Sequence, residues 1–213
     1  MADSRAVKFA SGPLTLEGML QLPEKPPAPG IVACHPHPMY GGDMHNNVVE
    51  AICETAVAES IAALRFNFRG AGGSEGRYDN GIGEQDDVRA AVAYLRGLPE
   101  VDSTRVALAG YSFGAAVALQ AADDRLSAFI AVSLPTIMPL KQVQVVCPAL
   151  FVSGDEDEYG DADELTRRVR DLGAQAELKL LPGLGHFWFG VEPDLRAILA
   201  PFLRAHLIGA VAS

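Results

Sequence analysis

Three stretches of this chain carry side chains able to act together on a carbonyl carbon. The first is Gly110-Tyr111-Ser112-Phe113-Gly114. Ahead of it, Arg105-Val106-Ala107-Leu108-Ala109 reads as a short buried strand; behind it, Ala115 to Ala122 reads as a helix. A serine at a sharp strand-to-helix turn has its hydroxyl pushed out into solvent. Glycines on either side let backbone and helix approach without a Cβ clash. The helix start adds unpaired N–H groups and the positive end of a dipole, both suited to developing negative charge. The pentapeptide alone is a weak signal; the strand before it and the helix after it make it a candidate nucleophile elbow.

A serine hydroxyl is a poor nucleophile at neutral pH. It needs a base, and the base needs a group to orient it. In an open parallel sheet such groups gather beyond the carboxyl ends of the strands. Two later loops fall at that edge. Gly154-Asp155-Glu156-Asp157-Glu158-Tyr159 follows the apolar run ending at Ser153, and Pro182-Gly183-Leu184-Gly185-His186-Phe187 follows the run ending at Leu181. An acid loop and a histidine loop therefore come after the serine, in that order. Spacing alone leaves Asp155, Glu156 and Asp157 open as the orienting acid.

These loops need a scaffold, and the periodicity describes one. Leu14 to Leu22 alternates apolar and polar residues, so it is expected as a half-exposed strand. With Val7-Lys8-Phe9 and the Ser11-Gly12-Pro13 turn it forms an N-terminal antiparallel hairpin. Pro23 to Pro29 is a proline-rich connection. Gly30-Ile31-Val32-Ala33-Cys34 is continuously apolar, the mark of a strand buried on both faces. Helices are expected near 46–60, 84–97, 113–123, 161–173 and 192–208. Strands are expected near 62–68, 105–109, 127–132, 147–153 and 176–181. Such alternation means a mostly parallel central sheet with helices on both faces. No composition break marks a second domain, so residues 1–213 are read as one domain. The short link between Ser133 and Val146 leaves little room for a lid domain.

Together the motifs resemble the α/β-hydrolase superfamily over nearly the whole chain. Within it the chain resembles the small, lidless bacterial hydrolases grouped near dienelactone hydrolase. The resemblance is carried by His35-Pro36-His37-Pro38-Met39-Tyr40-Gly41-Gly42, by Arg65-Phe66-Asn67-Phe68-Arg69-Gly70, by the Ser112 pentapeptide, and by Gly154 through Asp157 with Gly185-His186. It implies an α/β-hydrolase fold, with Ser112 as nucleophile, His186 as general base and acid, and Asp157 as orienting carboxylate. Asp157 is selected because the family's acid usually falls three residues after the strand-ending glycine. Dienelactone hydrolase itself carries cysteine at the elbow, where this chain carries serine.

An oxyanion hole needs two backbone N–H groups. Phe113 is expected to supply one. The loop after Cys34 is expected to supply the other; there Pro36 and Pro38 cannot donate, so His37 is the first candidate and Met39 the next. Met39, Tyr40, Phe113, Tyr159, Phe187 and Trp188 are expected near the pocket rim, with Met39, Tyr40, Tyr159, Phe187 and Trp188 as substrate-binding residues. The resulting expectation is a serine hydrolase cleaving carboxylic esters or thioesters of small acyl groups, with no cofactor and no metal. A peptidase or amidase with the same residues, or a silent fold used for binding, are the alternatives. His35-x-His37 with Asp43 and His45 nearby has some look of a metal site, but the prolines favour a rigid loop and no further ligand pattern appears. Arg69-Gly70-Ala71-Gly72-Gly73-Ser74 lacks the phosphate-binding signatures and reads as a flexible loop near the pocket rim, with Arg65 and Arg69 bracing it.

The bulk composition sets outer limits. Across 213 residues, 49% are hydrophobic, enough for a buried core, and the formal net charge of −10 argues against nucleic acid or anionic membrane as partners. Apolar stretches are interrupted well before membrane-spanning length, and the N-terminus lacks a signal-peptide core. Cys34, Cys53 and Cys147 fit buried thiols in a reducing compartment, so a cytoplasmic location is expected. Oligomeric state is left open.

Overall fold

The apolar runs become the strands of one sheet, whose order explains why the three motifs meet. A computed structural model describes residues 3–138 and 145–209. The strands are β1 (Asp3–Ser11), β2 (Leu14–Leu22), β3 (Ala28–Cys34), β4 (Ala62–Phe66), β5 (Val101–Tyr111), β6 (Ala128–Val132), β7 (Ala149–Gly154) and β8 (Ala176–Leu181). They form an 8-stranded sheet in the order β1-β2-β4-β3-β5-β6-β7-β8. β1 and β2 form the antiparallel hairpin, in register from Asp3 opposite Leu22 to Ser11 opposite Leu14. β2 also runs antiparallel to β4, and every later pairing is parallel.

The helices are α1 (Asn47–Ala58), α2 (Gly83–Arg96), α3 (Phe113–Ala121), α4 (Ala162–Asp171) and α5 (Glu192–Leu203). Strand alternation divides the core in two. Val32, Leu108, Phe129 and Phe151 face one side, with α2, α3 and α4. Ile31, Ala109, Ile130 and Val152 face the other, with α1 and α5. Period-two alternation with both sets apolar is what a sheet covered on both faces requires.

The differences from expectation are small. β5 starts at Val101, not 105, because Val101 pairs with Ala28 across a register shift between Ala28 and Gly30. The last helix ends at Leu203 and continues as a π turn over Arg204–Ile208. The link from β6 to β7 holds no helix among its described residues, and part of it, 139–144, lies outside them. No helix among the described residues is long and apolar enough to cross a membrane.

Candidate active site

The parallel strands all end at one edge, and the motif loops leave from there. β5 runs into α3 through Ser112, whose φ of 55° and ψ of −123° make the abrupt turn. The Ser112 N–H donates to Val132 O at 2.9 Å on the neighbouring strand. Its carbonyl accepts from Ala115 N–H at 2.9 Å and opens the helix. Both flanking glycines are steric necessities: a Cβ on Gly110 would lie 2.4 Å from Gly114 O, and one on Gly114 would lie 2.4 Å from His35 O.

β8 ends in the loop that carries His186, and β7 in the loop that carries Asp157. His186 Nε2 lies 2.9 Å from Ser112 Oγ. His186 Nδ1 lies 2.9 Å from both Asp157 carboxylate oxygens. A carboxylate only accepts, so Nδ1 carries the proton and Nε2 is left to accept from the serine hydroxyl. Burial works to raise the Asp157 carboxyl. The His186 contact and the hydrogen bonds from Tyr159 and Ser133 outweigh it and hold the group below the ordinary carboxylate range. The Asp157 oxygens also take Tyr159 N–H at 2.9 Å and the Ser153 hydroxyl at 3.3 Å. The imidazole is fixed from outside as well. His186 N–H donates to Glu158 Oε2 at 3.2 Å, and the Tyr111 hydroxyl donates to His186 O at 3.0 Å. Tyr111 stacks on the ring at 5.5 Å, and burial pushes its phenol upward, so it stays a donor.

Asp155 is occupied elsewhere. Its carboxylate takes Gly183 N–H at 2.7 Å, and its own N–H donates to Leu181 O at 3.1 Å. It clips the acid loop to the histidine loop and makes no contact with the imidazole. Glu156 is exposed, and its N–H donates to Leu184 O at 3.1 Å.

The loop after β3 is held by its two histidines. His35 is fully buried. Its Nδ1–H donates to Pro36 O at 2.6 Å, and its Nε2 accepts from Phe68 N–H at 3.0 Å. Both nitrogens are engaged within the protein, so His35 braces the loop. Burial lowers its pKa to about 4 from the ordinary 6.5. Between those values the unfolded chain takes up a proton at His35 that the folded chain refuses. The contribution is therefore complete above pH 6.5 and is lost as pH falls toward 4, about 3 kcal/mol from this group. Urea unfolding at pH 7 and pH 4 checks it: His35→Gln should lose less stability on acidification than the parent. An equal loss in both removes His35 as the source.

His37 caps a 3-10 turn, Pro38–Tyr40, its Nδ1 accepting Met39 N–H at 3.2 Å. That bond consumes the second oxyanion candidate, Met39. It also puts the ring proton on Nε2, which donates to the Tyr78 hydroxyl at 3.0 Å. The His37 ring lies 4.8 Å from that of Phe113 and 4.8 Å from that of Tyr40. Among the described residues, neither His37 N–H nor Phe113 N–H has a hydrogen-bond partner in the chain. Tyr78, whose ring also meets Phe113 at 5.7 Å, carried no sequence signal; only the fold brings it to this loop.

The expected rim is partly corrected. Met39, Tyr40, Tyr159 and Phe187 are exposed around the site. Trp188 is not: it is fully buried among the α1 and α5 core residues, and its Nε1–H donates to Ser133 Oγ at 3.0 Å. The side chain of Phe113 is buried too, leaving only its backbone at the site. The segment alternates, so Phe187 and Phe189 point outward while Trp188 points in. Phe189, outside every motif, joins the site only through its ring contact with Phe187. The glycine-rich loop is stitched down. Glu17 Oε1 on β2 takes both Gly73 N–H and Asn67 Nδ2 at 2.6 Å, and Glu75 N–H donates to Thr15 O at 2.9 Å. Arg69 forks onto the buried carboxylate of Asp87 at 2.8 and 2.9 Å.

A hydroxyl bonded to an imidazole, the imidazole to a carboxylate, and two unpaired N–H groups alongside are the parts that acyl transfer uses.

Known proteins resemble this chain over most of its length. The family model of the dienelactone hydrolase family matches residues 77–197. An uncharacterized protein of Rickettsia prowazekii (strain Madrid E) is 34% identical over 186 residues, which cover 81% of this chain and 77% of that one. Among solved structures, a Xanthomonas campestris member of the α/β serine hydrolases without lid aligns with a TM-score of 0.87 at 34% identity, covering 96% of this chain and 95% of that one. An α/β serine hydrolase homologue from Coxiella burnetii aligns with a TM-score of 0.81 at 32% identity, covering 94% and 97%.

Proposed function

The chain belongs to the dienelactone hydrolase family, and from that premise we propose that it is a serine hydrolase cleaving carboxylic esters or thioesters of small acyl groups. The observation that carries this reading is the unbroken hydrogen-bonded line from Ser112 through His186 to Asp157.

In the proposed reaction Ser112 Oγ attacks the carbonyl carbon while His186 Nε2 takes its proton. Asp157 steadies the imidazolium and keeps the other proton on Nδ1. Charge gathers on the carbonyl oxygen, which rests on the Phe113 and His37 N–H groups. Met39 N–H is bonded to His37, which supports His37 itself as the second donor. The His37–Tyr78 bond and the shared packing on Phe113 brace both donors before substrate arrives. Collapse of the intermediate releases the alcohol or thiol. Water, deprotonated by His186, then frees the acid from Ser112. The rim is open, which supports short acyl groups over long ones.

A fluorophosphonate probe followed by a substrate panel tests this. The probe should modify Ser112. p-Nitrophenyl esters and N-acetylcysteamine thioesters should turn over far faster than aminoacyl anilides. A preference for anilides would make the enzyme an amidase, and no labelling at Ser112 would end the serine-hydrolase reading.

A further inference from the structure

The two halves of an ester leave the enzyme at different stages of such a reaction, and the proton that the leaving group needs fixes where it lies. We propose that Tyr159, Phe187 and Phe189 form a leaving-group subsite that takes neutral, apolar alcohols and thiols and disfavours polyanionic carriers such as coenzyme A. This deepens the serine-hydrolase reading and rests on it.

When the tetrahedral intermediate collapses, the bond from the carbonyl carbon to the leaving oxygen or sulfur breaks with its electron pair. The proton held on His186 Nε2 moves onto that atom. The leaving atom therefore lies within hydrogen-bond reach of His186, and whatever it bears lies against the groups around that ring. One face of the imidazole is closed by the buried Tyr111. The solvent side is lined by rings: Tyr159 meets it edge-on at 4.7 Å, Phe187 at 5.5 Å and perpendicular, and Phe189 stacks on Phe187 at 6.3 Å and 13°. These three residues stay 41%, 55% and 75% exposed, an aromatic wall around the imidazole facing water. Exposed apolar surface of this kind, one contact from the reacting proton, fits an apolar ligand. Met39 and Tyr40 are tied to His37 instead, through the Met39 N–H and a ring contact at 4.8 Å.

Charge narrows the class. The two loops that carry the wall, 155–161 and 182–191, contain no lysine or arginine. They do contain Asp155, Glu156 and Glu158, and Glu158 reaches the His186 backbone at 3.2 Å. A leaving group bearing several phosphate charges would sit within a Debye length of these carboxylates with no cation on either loop to offset them.

The experiment holds the acyl group constant and varies the leaving group. Methyl and benzyl esters release alcohols of similar acidity; N-acetylcysteamine and coenzyme A thioesters release similar thiols. Benzyl should exceed methyl in kcat/KM by about tenfold, the size of one or two aromatic contacts. The N-acetylcysteamine thioester should exceed the coenzyme A thioester by a similar factor at low ionic strength, the gap narrowing as salt is added. In Phe187→Ala/Phe189→Ala the benzyl-to-methyl ratio should fall about tenfold. The rate of deacylation, measured after the leaving group has gone, should remain the same from either ester. Both side chains are exposed, so the fold is not at stake. A ratio unchanged within about twofold in the double variant, or a preference for coenzyme A, overturns the subsite. Fluorophosphonate labelling separates the two failures: a labelled, active enzyme indifferent to leaving group has lost only the subsite, and an unlabelled one has lost the serine-hydrolase reading with it.

Discussion

Ser112→Ala should reduce hydrolysis of any accepted ester by at least about a thousandfold, with the fold intact. Ser112 is half-buried, and among the described residues its side chain hydrogen-bonds only to His186 Nε2. Deleting the hydroxyl therefore removes the attacking atom and little packing. Alanine occupies the same backbone conformation at much the same cost, so far-UV circular dichroism and the unfolding midpoint should barely move. What activity survives should come from water attacking a carbonyl already polarised by the Phe113 and His37 N–H groups. Steady-state kinetics on the purified variant decide the matter. A residue of activity above about a tenth would take the nucleophile's role away from Ser112.

The second large effect separates two acids in one loop. Asp157→Asn should lower kcat by about four orders of magnitude, because an amide facing Nδ1 no longer fixes the tautomer that leaves Nε2 free to accept. Asp155→Asn should cost no more than about threefold. The carboxylate of Asp155 serves Gly183 N–H, and an asparagine oxygen can accept that same bond. The two variants differ by the same atom, two positions apart, and should differ in kcat by about a thousandfold. Side-by-side kcat values check this. A larger loss for Asp155→Asn would transfer the orienting role to it.

What could be read from the sequence was whatever local pattern dictates. Buried runs such as Ile31 to Cys34 and Phe129 to Val132 announce central strands because both faces must be apolar. The elbow announces itself because a tight strand-to-helix turn needs glycine on either side. The corrections fall where a residue's fate depends on a distant partner. Glu17 on the hairpin gives no hint that it will hold down a loop near residue 73. Nor does Tyr78 foretell that its hydroxyl will find His37. Trp188 is expected at the rim beside Phe187, but the core behind α1 and α5 takes the larger ring and leaves Phe187 exposed. Among Asp155, Glu156 and Asp157, it is the partners that differ, His186 for Asp157, Gly183 N–H for Asp155 and solvent for Glu156, and that is a property of the assembled loops.

The backbone at Ser112 carries a further meaning. A side-chain-bearing residue at φ 55° and ψ −123° sits in territory that only glycine enters freely, at a cost of order 1–3 kcal/mol. That is a large share of what a domain of this size has to spare. Selection on durability alone would put glycine at position 112, between two glycines that already stand there for steric reasons. The chain instead keeps a hydroxyl here, at a backbone conformation that resists any side chain. The rest of the fold, from the Val132 carbonyl to the packed α3, must supply the surplus that lets it stay. On the proposed reading, position 112 is where sturdiness is traded for reactivity, and the trade is written in a torsion angle, independent of any substrate.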